Sequence, residues 1–142
     1  MPSEAQMWTA LRPHMEKAEL NPIRVENPAL PGTPDVNYIE GWIELKHADR
    51  WPPRGGPLRL KHPPTPEQKV FLYRRCRAGG TATLLLRVGQ EWFVFLGSDV
   101  LQIWDCSNTS PTEETIRRMA HRTFTHPSQV AVFYADNKNG ML

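Results

Sequence analysis

The amino-acid sequence predicts a mixed α/β fold. Three observations lead to it: helix-start signatures at three places, apolar β-branched runs between them, and Gly- or Pro-rich punctuation at the junctions. A hydroxyl residue followed three positions later by Glu or Gln marks each helix start, as Ser3 with Gln6, Thr65 with Gln68, and Ser110 with Glu113. In the last two, Pro66 and Pro111 take the first helical position, where a missing N–H removes no intrahelical bond.

The first helix is expected from about Glu4 towards Glu19, with Trp8, Leu11, Met15 and Ala18 as its buried stripe and Pro13 as a kink. A short strand over Ile23–Glu26 and a turn-rich segment, Asn27–Pro34, come next. Asp35–Ile39 and Trp42–His47 read as a hairpin about Glu40-Gly41. The Pro-, Gly- and Arg-rich stretch 51–64 reads as a mobile loop. A helix over Pro66–Ala78 stops at Gly79-Gly80, followed by strands Thr81–Val88 and Glu91–Leu96 joined at Gly89-Gln90. In the tail, a strand is expected over Val100–Trp104, a helix over Pro111–Arg122 and a last strand over Gln129–Ala135. Residues 1–142 read as one domain, with αβββαβ order through residue 88.

Composition removes several function classes. No apolar run approaches the about 18 residues of a membrane span, and MPSEAQMWTALRPHM has no charged-then-apolar signal pattern. Cys76 and Cys106 are too few for a disulfide framework or a structural zinc cluster, so reduced thiols and a cytoplasmic location are expected. A net charge of +2 says little, but basic residues crowd the stretch from Arg50 to Arg77.

Side chains two apart on a strand share a face, which puts Trp42, Glu44 and Lys46 on one side and Ile43 and Leu45 on the other. With Glu40-Gly41 as the turn, Ile39 faces Trp42, Asn37 faces Glu44 and Asp35 faces Lys46, each pair with Cβ atoms about 5 Å apart. One face then collects Asp35, Asn37, Glu44 and Lys46, and the other Val36, Tyr38, Ile43 and Leu45. The first is a charged, solvent-facing site or a salt-bridged patch, and the second is core.

Pro34-Asp35, followed nine residues on by Glu44-Leu45-Lys46, resembles the motif of the PD-(D/E)XK nuclease superfamily. Gly32, Gln68 and Gly79 add a likeness to its VRR-NUC and Holliday junction resolvase-like members, extending over about Glu4–Val88. The resemblance implies a restriction-endonuclease-like core over about residues 4–88, with a β/α extension over about 89–142. It implies a magnesium- (or manganese-) dependent endonuclease hydrolysing phosphodiester bonds in DNA, with branched DNA as an expected substrate. A homodimer and a phage or bacterial source would suit it. Asp35, Glu44 and the Leu45 carbonyl would hold the metal, since hard cations take oxygen ligands. Lys46 would orient or deprotonate the attacking water. The alternative is a nuclease-like module that binds nucleic acid without cutting it.

Other residues carry two readings each. Glu4 is a further metal ligand from the first helix or a carboxylate complementing the helix dipole, and Glu26 is a weaker candidate for the same role. Gln68 joins the nucleic-acid site or only completes a capping box. Arg50, Arg54, Arg59, Lys61 and His62 contact phosphates or form a solvated loop, and Arg74, Arg75 and Arg77 extend that patch or line an exposed helix face. His47 points away from Glu44 and Lys46. His121 and His126 lack partners at metal-ligand spacing. Trp92, Phe93 and Phe95 are core or a subunit contact.

Overall fold

In the computed structural model, which describes residues 3–105 and 110–137, one mixed sheet is covered by helices on both faces. The element order is α1 (Glu4–Lys17), β1 (Ile23–Arg24), β2 (Val36–Tyr38), β3 (Gly41–Ala48), α2 (Pro66–Arg77), β4 (Thr81–Val88), β5 (Glu91–Leu96), α3 (Val100–Ile103), α4 (Glu113–Met119), β6 (Arg122–Phe124) and α5 (Pro127–Asp136). The six strands lie in chain order across the sheet. Only β3 and β4 run parallel, because α2 carries the chain back between them. The mixed α/β expectation holds.

Alternation along the strands divides the core in two. Ile43, Leu45, Leu85, Trp92 and Val94 pack against α1 and α5. Leu84, Leu86, Phe93 and Phe95 pack against α2, α3 and α4. Trp92, Phe93 and Phe95 are therefore interior, not a subunit contact. The buried stripe of α1 is Met7, Leu11 and Met15, with Trp8 and Ala18 only partly buried, and the helix continues through Pro13 to Lys17.

The hairpin turns one residue earlier than expected. Asn37 pairs with Trp42 and Tyr38 with Gly41, so Ile39-Glu40 is the turn. Gly41 is needed inside β3, because a Cβ there would sit 2.1 Å from the Thr81 carbonyl oxygen. The register thus moves by two residues, an even number, so every side chain keeps its face. Extending the pairing by one residue sets Asp35 opposite Glu44, not Lys46.

The tail departs most from expectation. Val100–Ile103 is a short helix burying Val100 and Ile103. The helix expected from Pro111 begins at Glu113, where Thr112 caps it instead of Ser110; Pro111 and Thr112 meet Leu58 and Pro57 in a bridge. Arg122–Phe124 pairs with β5 as an edge strand. The segment read as a last strand is helix α5. Pro127 sits at its first position, the His126 ring accepts from the Ser128 N–H, and the buried residues 130, 131, 133 and 134 trace a helical stripe. The β-branched residues of that segment masked the helix, and tertiary packing decided it.

The stretch 51–64 is anchored, contrary to a mobile loop. Leu58 is buried and its N–H donates to the Pro111 carbonyl at 2.9 Å. Trp51 Nε1 donates to Glu91 at 3.0 Å, and Arg117 bridges Glu91 and Glu113 while lying over the Trp51 ring. Cys76 is a free thiol, and Cys106 lies outside the described residues. Among the described residues no helix is long and apolar enough to cross a membrane.

Candidate active site

The charged face of β3 is present but buried. Glu44 and Lys46 are 1% and 2% exposed, with Lys46 Nζ 3.3 Å from Glu44 Oε2. The face expected to be open to solvent is closed instead. Both residues lie on the sheet face that α2 covers, paired in register with Leu84 and Leu86. The Asn27–Pro34 segment packs onto the start of α2. Gly32 (φ +91°) approaches the first turn of α2 so closely that a Cβ would meet the Glu67 backbone at 2.6 Å.

Asp35 is bound through both oxygens. Its Oδ2 accepts from the Leu45 N–H at 2.8 Å, and its Oδ1 lies 2.8 Å from Arg24 Nη1, which also donates to the Asp35 carbonyl at 3.2 Å. Arg24 was not singled out from the sequence. Its position follows from the pairing of β1 with β2 (Arg24 opposite Val36), which no local pattern announces. A strand residue's N–H and C=O leave on the same side. The Leu45 carbonyl therefore also faces the β2 side, beyond the last β2 pair at Ile43.

The electrostatics bind these groups into one cluster. Burial, then the neighbouring Asp35 carboxylate, push the Glu44 carboxyl up to about 9, with Lys46 opposing. Glu44 Oε1 is buried without a hydrogen-bond partner among the described residues. Burial also raises the Glu4 carboxyl, which Lys46, His62 and Arg24 pull down and Asp35 pushes up. The start of α1 thus reaches the same cluster. Glu26 lies past the end of β1, and its place on that strand is not kept.

Hard-cation chemistry fits this donor set: the neighbouring Asp35 and Glu44 carboxyls, with Glu44 Oε1 unpartnered, and the Leu45 strand carbonyl. No three His, Cys, Asp or Glu side chains converge as a ready-made cage among the described residues. Magnesium keeps several waters and needs only one or two carboxylates.

The basic residues border two adjoining clefts near the end of β3. One of about 580 Å³ is lined by Glu4, His47, Arg59, Lys61 and His62 among others. The second, of about 480 Å³, is lined by Arg50, Trp51, Arg54 and Arg59; Asp49 and Arg59 belong to both. His47 points away from Glu44 and Lys46, as its place in the strand requires, yet it lines the first cleft. Gln68 caps: its Oε1 accepts from the Thr65 N–H at 2.9 Å, completing the capping box. Arg75 lies over the Trp42 and Phe71 rings instead of joining the clefts.

No protein-family model and no curated protein matches the chain.

Proposed function

We propose that this protein is a divalent-metal-dependent endonuclease acting on the phosphodiester bonds of DNA, with structured DNA as its preferred substrate. One observation carries the reading: Asp35 and Glu44 are held face to face with Lys46 beside them, and Glu4, which lines the first basic cleft, interacts with Lys46 and Asp35. A bound magnesium or manganese ion would activate water and neutralise charge developing on the phosphate.

The chain's own groups divide the remaining work. Asp35, fixed by Leu45 and Arg24, and Glu44 supply carboxylate oxygens, and the Leu45 carbonyl adds a third donor on the same side. Lys46, a cation excluded from water, stabilises negative charge on the reacting phosphate far better than an exposed lysine would. Arg50, Arg54, Arg59 and Lys61 hold the strand by its phosphates, without reading its sequence.

A second reading is a nucleic-acid-binding module that does not cut. It is favoured by the burial of Glu44 and by the engagement of both Asp35 oxygens. Incubation with plasmid, linear and four-way-junction DNA in Mg²⁺, Mn²⁺ or EDTA separates the two. Metal-dependent cleavage is the expected result. Binding to DNA with no cleavage under any metal would establish the second reading instead.

A further inference from the structure

The cleft of about 580 Å³ lies between the start of α1, the end of β3 and the Arg59–His62 segment. Ser3, Glu4 and Ala5 bring the N-terminus of a 14-residue helix to its wall. The Ser3 side chain accepts from the Gln6 N–H and its carbonyl from the Met7 N–H, so the N–H groups of Glu4 and Ala5 are left without an intrahelical acceptor. Such an end carries partial positive charge and directs N–H groups at an anion.

His47 gives an independent sign of a ligand. Its side chain is only 6% exposed and it lines this cleft, with Nδ1 3.9 Å from Asp49 Oδ1. Its Nε2 is buried without a hydrogen-bond partner among the described residues. A buried polar atom left alone is destabilising, and a ligand oxygen reaching it from the cleft after a small movement of the ring would satisfy it. The far wall supplies Arg59, Lys61 and His62, all exposed. Glu4 and Asp49 are the acidic members of the lining, matched by Arg59 and Lys61, so the partial positive charge of the helix end tips the balance.

We propose that this cleft is a phosphate-binding site, formed by the Glu4 and Ala5 N–H groups, His47 Nε2, Arg59 and Lys61. That the phosphate belongs to a nucleic acid rests on the function proposed above; that the cleft holds a phosphate group does not.

The test is a titration of the ¹⁵N-labelled full chain with inorganic phosphate in EDTA, at constant ionic strength set with chloride. Saturable shifts are expected at the Glu4 and Ala5 amides and at the His47 ring. Replacing Arg59 and Lys61 together by Ala should weaken binding by about tenfold or more, the scale of lost charge-assisted hydrogen bonds. His47→Phe should weaken it and His47→Gln, which keeps a donor, should restore it. Competition by a 5′-phosphorylated oligonucleotide and its 5′-hydroxyl counterpart then identifies the source. Stronger competition by the phosphorylated strand assigns a terminal phosphate, and equal competition an internal one. Competition by neither assigns free phosphate. Glu44→Gln, which the proposed nuclease reading makes inactive, should bind phosphate unchanged, so loss of cleavage and loss of this site are separable. Shifts that do not saturate, or that chloride reproduces, would overturn the proposal.

Discussion

Asp35 Oδ2 accepts a hydrogen bond from the backbone N–H of Leu45 at 2.8 Å, just where the β2 ladder has ended. A side chain thereby takes over from the missing backbone partner of a fully buried strand residue. Asp35→Ala should strand that N–H and destabilise the fold by about 1–3 kcal/mol. Asp35→Asn retains an acceptor oxygen and should lose less. Urea unfolding measures both. On the proposed function, each variant should also cleave DNA at least about two orders of magnitude more slowly. An Asp35→Asn protein with undiminished cleavage would take Asp35 out of the site.

Glu44 makes the metal-free protein sensitive to pH. Its carboxyl is raised from an ordinary 4.5 to about 9 in the folded chain, so the folded state holds a proton that the unfolded state releases across that window. The contribution is fully present below 4.5 and is lost as pH rises through about 9. Stability should therefore fall with rising pH, at up to about 1.4 kcal/mol per pH unit. Glu44→Gln, a neutral isostere of the protonated form, should flatten this slope and abolish cleavage while leaving the fold intact. Melting temperatures from pH 5 to 9 in EDTA provide the check. A wild-type slope retained in the Gln variant would rule Glu44 out as the source.

Metal removal separates chemistry from folding. Protein stripped of metal and assayed in EDTA should bind DNA without cleaving it, Mg²⁺ or Mn²⁺ should restore turnover, and Ca²⁺ should support little. Lys46→Ala should be inactive in all of these conditions. Cleavage that persists in EDTA would exclude the mechanism.

Replacing Arg54, Arg59 and Lys61 together by Ala should weaken DNA binding similarly across sequences. Three lost phosphate contacts should flatten the slope of log affinity against log salt by roughly 2.7 for duplex DNA. An unchanged slope would mean that these clefts do not carry the strand.

Gly41 should not tolerate any side chain. Gly41→Ala places a Cβ 2.1 Å from the Thr81 carbonyl oxygen, in the backbone contact where β3 meets β4. The strands must separate locally, which should destabilise the protein by about 1–3 kcal/mol or more. A variant with wild-type denaturation midpoint would show that the pairing at this end is dispensable.

The sequence by itself determined what local physics controls. Period-two alternation assigned Trp42 to His47 to their faces, and that assignment survived a two-residue change of register because the change was even. The Thr65–Gln68 capping box announced α2, and apolar runs divided by Gly89-Gln90 gave β4 and β5 at their observed ends. Asp35, Asn37, Glu44 and Lys46 could be grouped for the same reason. Only the tertiary structure decided that Glu44 and Lys46 are sealed from water, that Arg24 lies on Asp35, and that His47 lines a cleft shared with the α1 N-terminus. Each depends on elements far apart in the chain coming together: α2 over β3, β1 beside β2, α1 against the end of β3. Strand and helix periods are written in neighbouring residues, whereas burial and ion pairing are properties of the packed whole. The same packing overruled the β-branched tail, where α5 became a helix because Val130, Ala131, Phe133 and Tyr134 cover the sheet as one stripe.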